Sequence, residues 1–182
     1  MAATGLRLHL GCGDRHIPGF VHVDARSLPH VDVVSGLDAL PAFADGAATL
    51  LYASHVLEHF SRDDCPRVLT EWYRILAPGG ILRLSVPDFA QLVAVYEASG
   101  RDIETVLGPL VGRQSHAYNY HYNAFDARRL TRLLRETGFS AVRPWDWRHT
   151  EHTAVDDFSQ AFYPHMDKAN GTQISLNLEG VK

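Results

Sequence analysis

The chain has 182 residues, a hydrophobic fraction of 46% and a formal net charge of −4, values ordinary for a single globular domain with a substantial core, here expected over residues 1–182. The negative charge argues against a nucleic-acid partner, which would need clustered Lys and Arg, and no stretch is long and apolar enough to span a membrane. The N-terminus lacks the basic and apolar regions of a signal peptide, and Cys12 and Cys65 make no disulfide framework, so a cytoplasmic location is expected.

The first predicted strand, 6–11, runs through Leu8-His9-Leu10 into Gly11-Cys12-Gly13-Asp14, and the second, 20–24, ends at Asp24. Two glycines two apart let backbone approach a ligand where a Cβ would clash, and an aspartate ending the next strand can accept both hydroxyls of a ribose. A dinucleotide fingerprint would need a third glycine three residues on and an acid roughly 20 residues later. Here His16 holds the third-glycine position, and Asp24 arrives before a crossover helix could fit. A nucleoside cofactor without a pyrophosphate suits this loop, which points to S-adenosylmethionine.

A third strand is predicted over 31–34, followed by Gly36, Leu37 and Asp38. A fourth, 48–53, leads into Ser54-His55-Val56-Leu57-Glu58-His59-Phe60. Val68, Leu69, Trp72, Tyr73 and Leu76 recur at helical spacing and predict a helix over 64–76, closed by Ala77-Pro78-Gly79-Gly80. Next come strand 80–86, helices 88–99 and 126–137, and strands 140–145 and 173–181. Alternating strands and crossovers imply a mainly parallel α/β sheet covered on both faces, with ligands bound beyond the carboxyl ends of its strands.

Leu10-Gly11-Cys12-Gly13, Val56-Leu57-Glu58-His59 and Trp72-Tyr73-Arg74-Ile75-Leu76-Ala77-Pro78-Gly79-Gly80 stand in the order of class I S-adenosylmethionine-dependent methyltransferases, and the chain resembles that family. Val86-Pro87-Asp88-Phe89, Asp146-Trp147-Arg148 and Pro164-His165-Met166-Asp167-Lys168 look like a small bacterial-type subfamily of predicted methyltransferases. The resemblance implies a Rossmann-like, doubly wound, mainly parallel seven-stranded sheet with an antiparallel last strand. It also implies that Gly11, Cys12 and Gly13 face the methionine part of the cofactor and Asp24 the ribose. Leu37 and Asp38 would stand near the adenine, Gly36 occupying the place where the family usually has an acid. Ser54 and His55 would border the transferable methyl.

Methyl transfer to a hydroxyl needs in-line alignment and removal of a proton, a task that suits histidine near neutral pH. His55, His59 and His121 are the candidate catalytic residues, with His55 the best placed as base. His55, Glu58 and His59 would share a helix face if the helix began early, but imidazole and carboxylate geometry is not legible in sequence, and no metal is expected. Two loop insertions, about 100–123 and 146–172, exceed what a minimal sheet requires. Their Tyr118, Tyr120, His121, Trp147, Arg148, His152 and His165 are the candidate acceptor-binding residues, because rings with amide and imidazole groups suit a sugar or planar ring. The expected activity is O-methylation of a small molecule or saccharide. The alternative is a non-catalytic cofactor-binding partner or regulator, and closure of the cleft by a second copy in a homo-oligomer is compatible with either.

Overall fold

The computed structural model describes residues 5–182. Its strands are β1 (Leu6–Leu10), β2 (Val21–Asp24), β3 (Val33–Val34), β4 (Ala48–Ser54), β5 (Leu76–Pro87), β6 (Ala141–Pro144), β7 (Phe162–Tyr163), β8 (Thr172–Gln173) and β9 (Ser175–Val181). Four helices accompany them: α1 (Cys65–Ile75), α2 (Phe89–Ala98), α3 (Glu104–Val111) and α4 (Ala127–Thr137). Seven strands form one sheet in the order β3-β2-β1-β4-β5-β9-β6, and β7 and β8 form a separate hairpin. Within the large sheet only β9 runs antiparallel to its neighbours, between β5 and β6. This is the expected Rossmann-like α/β sheet.

One face of the sheet is apolar. Leu8, Leu10, Val23, Leu51, Ala53, Leu82, Leu84 and Val86 are fully buried there against Val68, Leu69, Trp72 and Ile75 of α1 and Leu130 and Leu134 of α4. Removing a Leu or Val side chain from water stabilises by about 1.5–3 kcal/mol, so this layer carries much of the fold. The helices begin where the chemistry allows. Ser61 Oγ accepts from Asp64 N at 3.1 Å just before α1, which carries a proline in its first turn. Asp126 caps α4 by accepting from Arg129 N at 2.7 Å, and Gly138, at φ 118°, ends it.

The opposite face is covered differently. Among the described residues no helix of three turns lies on it. It is covered by the segment between β6 and β9, which forms short 3-10 turns at Trp147–His149 and Phe158–Gln160. Tyr52 Oη donates to Asp157, Trp145 Nε1 donates to Leu84 O at 2.8 Å, and Asn177 Nδ2 donates to Ser159 O at 3.0 Å. Arg83 bridges this layer by pairing with Glu151 at 3.1 Å and Glu179 at 3.5 Å.

Three local expectations are corrected. β5 starts at Leu76 rather than at 80, because Leu76 pairs with Ala48 and the register then shifts to join Leu50 with Ile81, taking up the Pro-Gly-Gly as an irregularity. Residues 55–60 form no early helix: His55 has φ 53° and only Leu57–His59 make a 3-10 turn, with α1 starting at Cys65. The insertion at 100–123 contains α3, which sequence reading misses because Gly108 and Pro109 argue against a helix interior. Its Val106 packs on Leu92 and Val95 of α2.

Candidate active site

The turn after β1 is built for close approach. Gly11 N donates to Val23 O at 2.7 Å, and Gly13 N donates to Asp24 Oδ2 at 2.8 Å, which ties the carboxyl ends of β1 and β2 together. Gly11 has φ 62°, and a Cβ there would stand 2.5 Å from Val56 Cγ2. The cofactor turn therefore packs directly on the turn after β4. At Gly13, φ 55°, a Cβ would meet only Arg26 Nη2 at 3.5 Å, so this stretch of backbone is bare for a ligand apart from one mobile-ended side chain.

Asp24 is nearly buried. Its Oδ1 accepts from Arg26 N at 2.8 Å and from Arg26 Nε at 3.4 Å. With Gly13 on Oδ2, that makes three contacts on a group offering about four acceptor positions. A ribose hydroxyl fits the remaining position, or the one that the Arg26 side chain holds weakly. Cys12 is buried and its thiol is pushed up to about 12 by that burial, then by the nearby Asp24 carboxylate. It lines the turn as an unreactive thiol. His30 Nε2 donates to Gly13 O at 3.0 Å. Leu37 stands over Gly11, its carbonyl accepting from Trp72 Nε1 at 2.8 Å. Asp38 lies further out in a surface pair with Arg67 at 3.0 Å. These features fit a nucleoside ligand with an amino-acid tail.

At the end of β4, Ser54 Oγ is buried without a hydrogen-bond partner among the described residues. His55 Nε2 lies 2.7 Å from Ser175 Oγ, and His55 Nδ1 lies 3.3 Å from Glu58 Oε1. Ser175 Oγ donates to Phe158 O, so it accepts from His55, whose Nε2 carries the hydrogen. Burial, reinforced by His121 and His59, lowers the His55 pKa to about 3, and burial raises that of Glu58 to about 8. His121 is lowered to about 4 and His59 is lowered as well, both chiefly by burial. Near neutral pH the turn therefore presents uncharged imidazoles around a predominantly protonated carboxyl group.

Both insertions reach this turn. Tyr122 N donates to Glu58 O at 2.9 Å, and His59 Nδ1 donates to Tyr120 O at 3.0 Å. His121 lines an open cleft with Arg62, Tyr122 and Asn123, while Tyr118 and Tyr120 are exposed on the same segment. From the other side, Trp147 and Arg148 line a groove shared with Gln173 and Ser175, the Arg148 guanidinium standing 4.5 Å from the Trp147 ring. His165 is exposed on the turn after β7. His152 is a correction. It is 2% exposed, packs 4.3 Å from the Tyr52 ring on the polar sheet face, and lines neither cleft. Sequence reading missed Arg26, Ser175 and Phe158. Arg26 stands two residues after Asp24, a legible signal, but nothing in sequence ties Ser175 to His55.

The sheet order, the glycine turn packed on the β4 turn and an acid ending β2 define a class I S-adenosylmethionine-dependent methyltransferase. Residues 10–143 match the methyltransferase domain family, and the chain belongs to it. No curated protein matches the chain. Among solved structures it is similar to a Thermotoga maritima S-adenosylmethionine-dependent methyltransferase, a possible histamine N-methyltransferase. That likeness has 19% identity, covers 98% of this chain and 82% of that one, and has a TM-score of 0.62. An Archaeoglobus fulgidus S-adenosylmethionine-dependent methyltransferase is 14% identical over 98% of this chain and 86% of its own, TM-score 0.63. The Burkholderia thailandensis 1,6-didemethyltoxoflavin N1-methyltransferase, solved with that substrate and S-adenosylhomocysteine, is 14% identical over 97% and 70%, TM-score 0.59. At these identities the likeness is one of fold. No helix among the described residues is long and apolar enough to cross a membrane.

Proposed function

We propose that this methyltransferase transfers its methyl group to a hydroxyl oxygen of a small neutral acceptor, a saccharide or polyol, held at the turn 54–59. The reading is carried by one observation: uncharged imidazoles stand at that turn, and the segment that carries the exposed Tyr118, Tyr120 and Tyr122 is bonded to it through the backbone of Glu58 and the ring of His59. Exposed rings stack on the apolar faces of sugars, and uncharged ring nitrogens exchange hydrogen bonds with their hydroxyls. The cofactor supplies the methyl group on a sulfonium. The chain aligns the acceptor and takes its proton. His55 is the base, acting through Nε2 once Ser175 turns aside and the ring proton shifts to Nδ1, where Glu58 holds it. Trp147 and Arg148 border the acceptor on the Ser175 side. Cys12 and Cys65 are free thiols, in keeping with a reducing, cytoplasmic setting.

The test is a screen of neutral sugars, polyols, phenols and amines for S-adenosylhomocysteine production, with the product identified by mass. A methyl ether is expected, and exclusive N-methylation would overturn the reading. With an acceptor in hand, His55→Asn should lower kcat by roughly 10²–10⁴ while leaving S-adenosylhomocysteine affinity unchanged. Unchanged turnover would return His55 to a packing role.

A further inference from the structure

Glu58 is fully buried, and among the described residues neither of its carboxyl oxygens has a hydrogen-bond partner. The groups facing Oε1 are His55 Nδ1 at 3.3 Å and His121 Nε2 at 4.0 Å. A buried carboxyl group left this way loses its hydration and gains nothing in return. Two imidazoles beside it have their orientation fixed from outside. His59 Nδ1 donates to Tyr120 O at 3.0 Å, and His121 Nδ1 donates to Pro109 O at 2.9 Å. A carbonyl oxygen only accepts, so each Nδ1 carries the hydrogen and each Nε2 of the uncharged rings holds a lone pair. Backbone carbonyls orient metal-bound histidines in this manner. One donor atom from each of Glu58, His59 and His121 lies within 4.8 Å of the other two.

We propose that Glu58, His59 and His121 bind one divalent transition-metal cation of the Zn²⁺ or Co²⁺ type. Donors at about 2.0–2.1 Å from a tetrahedral ion stand roughly 3.3 Å apart, so closure needs side-chain movements of about an ångström. Two nitrogens and one oxygen suit a borderline cation, whereas Mg²⁺ and Ca²⁺ prefer oxygen throughout. Three protein ligands leave a fourth position. Its use rests on the proposed function: His121 is the ligand that lines the open cleft, and an acceptor hydroxyl that reached the cation from there would lose its proton to His55 more readily. Cation binding itself does not depend on that reading. The spacing of Glu58 and His59 is visible in sequence, whereas His121 comes from the first insertion, 62 positions after His59, and no periodicity joins it to them.

The experiment is equilibrium dialysis of the purified protein against Zn²⁺, with bound metal measured by elemental analysis, and titration with Co²⁺ followed by its visible absorption. One Zn²⁺ per chain is expected, with a Co²⁺ band that saturates at one equivalent. Glu58→Gln and His121→Asn should each weaken binding by at least tenfold, whereas His149→Asn, on an exposed side chain, should not. Circular dichroism checks folding, and if Glu58→Gln is unfolded, loss of the Co²⁺ band in folded His59→Asn and His121→Asn decides the matter. Absence of stoichiometric Zn²⁺ in the wild type, or unchanged binding in the folded variants, overturns the site. Calorimetry with S-adenosylhomocysteine on the same samples keeps the two readings apart. Cofactor binding without Zn²⁺ sinks only the metal site, and Zn²⁺ binding without a methyl ether product sinks only the choice of acceptor.

Discussion

The two faces of the sheet are held by different forces. On the α1 and α4 side the contact is aliphatic, with Trp72 fully buried among Leu, Val and Ile. On the other side buried polar groups are prominent: His9, His22, Glu179 and Asn177 of the strands, with His152, Asp157 and Ser159 of the second insertion. An apolar layer tolerates exchange among residues of similar size, whereas the polar layer leans on a few directed bonds, such as those from Tyr52 to Asp157 and from Asn177 to Ser159, each of which is lost outright when one partner is removed. The faces should therefore fail in different ways.

Trp72→Ala gives the largest effect on this comparison. It opens a cavity and strips the Leu37 carbonyl of its indole donor, at 2.8 Å, so a loss of about 3–5 kcal/mol is expected in denaturant unfolding. Because Leu37 also stands over Gly11, the variant should weaken cofactor binding too. A loss below 1 kcal/mol would mean that the helix face is not the main apolar layer.

Tyr52→Phe asks the same of the polar face with almost no change of volume. It leaves Asp157, whose other oxygen accepts from Ser159 N at 2.8 Å, short of one partner, and about 1–3 kcal/mol should be lost. The readout that distinguishes it from Trp72→Ala is protease sensitivity confined to residues 146–172, since the hydrogen bond pins that segment to β4.

How much of this was legible follows the same division. The helix face announces itself locally: Val68, Leu69, Trp72 and Ile75 repeat at helical spacing, and Gly138 marks the end of α4. The glycine turn and Asp24 were legible because their spacing is set by backbone geometry within one β-turn-β unit. The polar face was not, since Tyr52 and Asp157 are 105 positions apart and no periodicity connects them. His152 was misassigned for that reason. A histidine in a polar loop reads as surface until the strand it packs on is known. The His55 turn shows the other limit, where the order of residues was visible but the left-handed backbone at His55 and the reach of Ser175 were not.

Acid should expose the polar face selectively. Burial, together with the nearby His22, His152 and His30, lowers His9 from 6.5 to about 3, and its ring lies among Phe20, His22 and Tyr52. Between those values the unfolded chain binds a proton at this position that the folded chain refuses. Stability is thus intact above pH 6.5 and falls as pH drops toward 3. His9→Leu should lower the slope of stability against pH near pH 5 by up to one proton, about 1.4 kcal/mol per pH unit. An unchanged slope would assign the acid sensitivity to the other buried histidines.

The smallest effect expected lies where the two faces meet, at the carboxyl ends of β1 and β2. Arg26 Nε reaches Asp24 Oδ1 at 3.4 Å, the longest of the three contacts on that carboxylate, and Arg26 Nη2 stands over the bare backbone of Gly13. The arginine side chain is one-third exposed, so the pair is worth no more than about 1 kcal/mol. A ribose would compete for the same oxygen. Arg26→Ala frees the position while keeping the backbone donor of residue 26, so S-adenosylhomocysteine should bind more tightly, by a factor of up to about 5. Asp24→Ala, by contrast, should weaken binding by more than roughly tenfold, because a charged hydrogen bond contributes about 1.5–3 kcal/mol. Calorimetry on the two variants separates the roles: weaker binding in Arg26→Ala would make the guanidinium part of the cofactor cradle, and only tighter binding leaves it a competitor for Asp24.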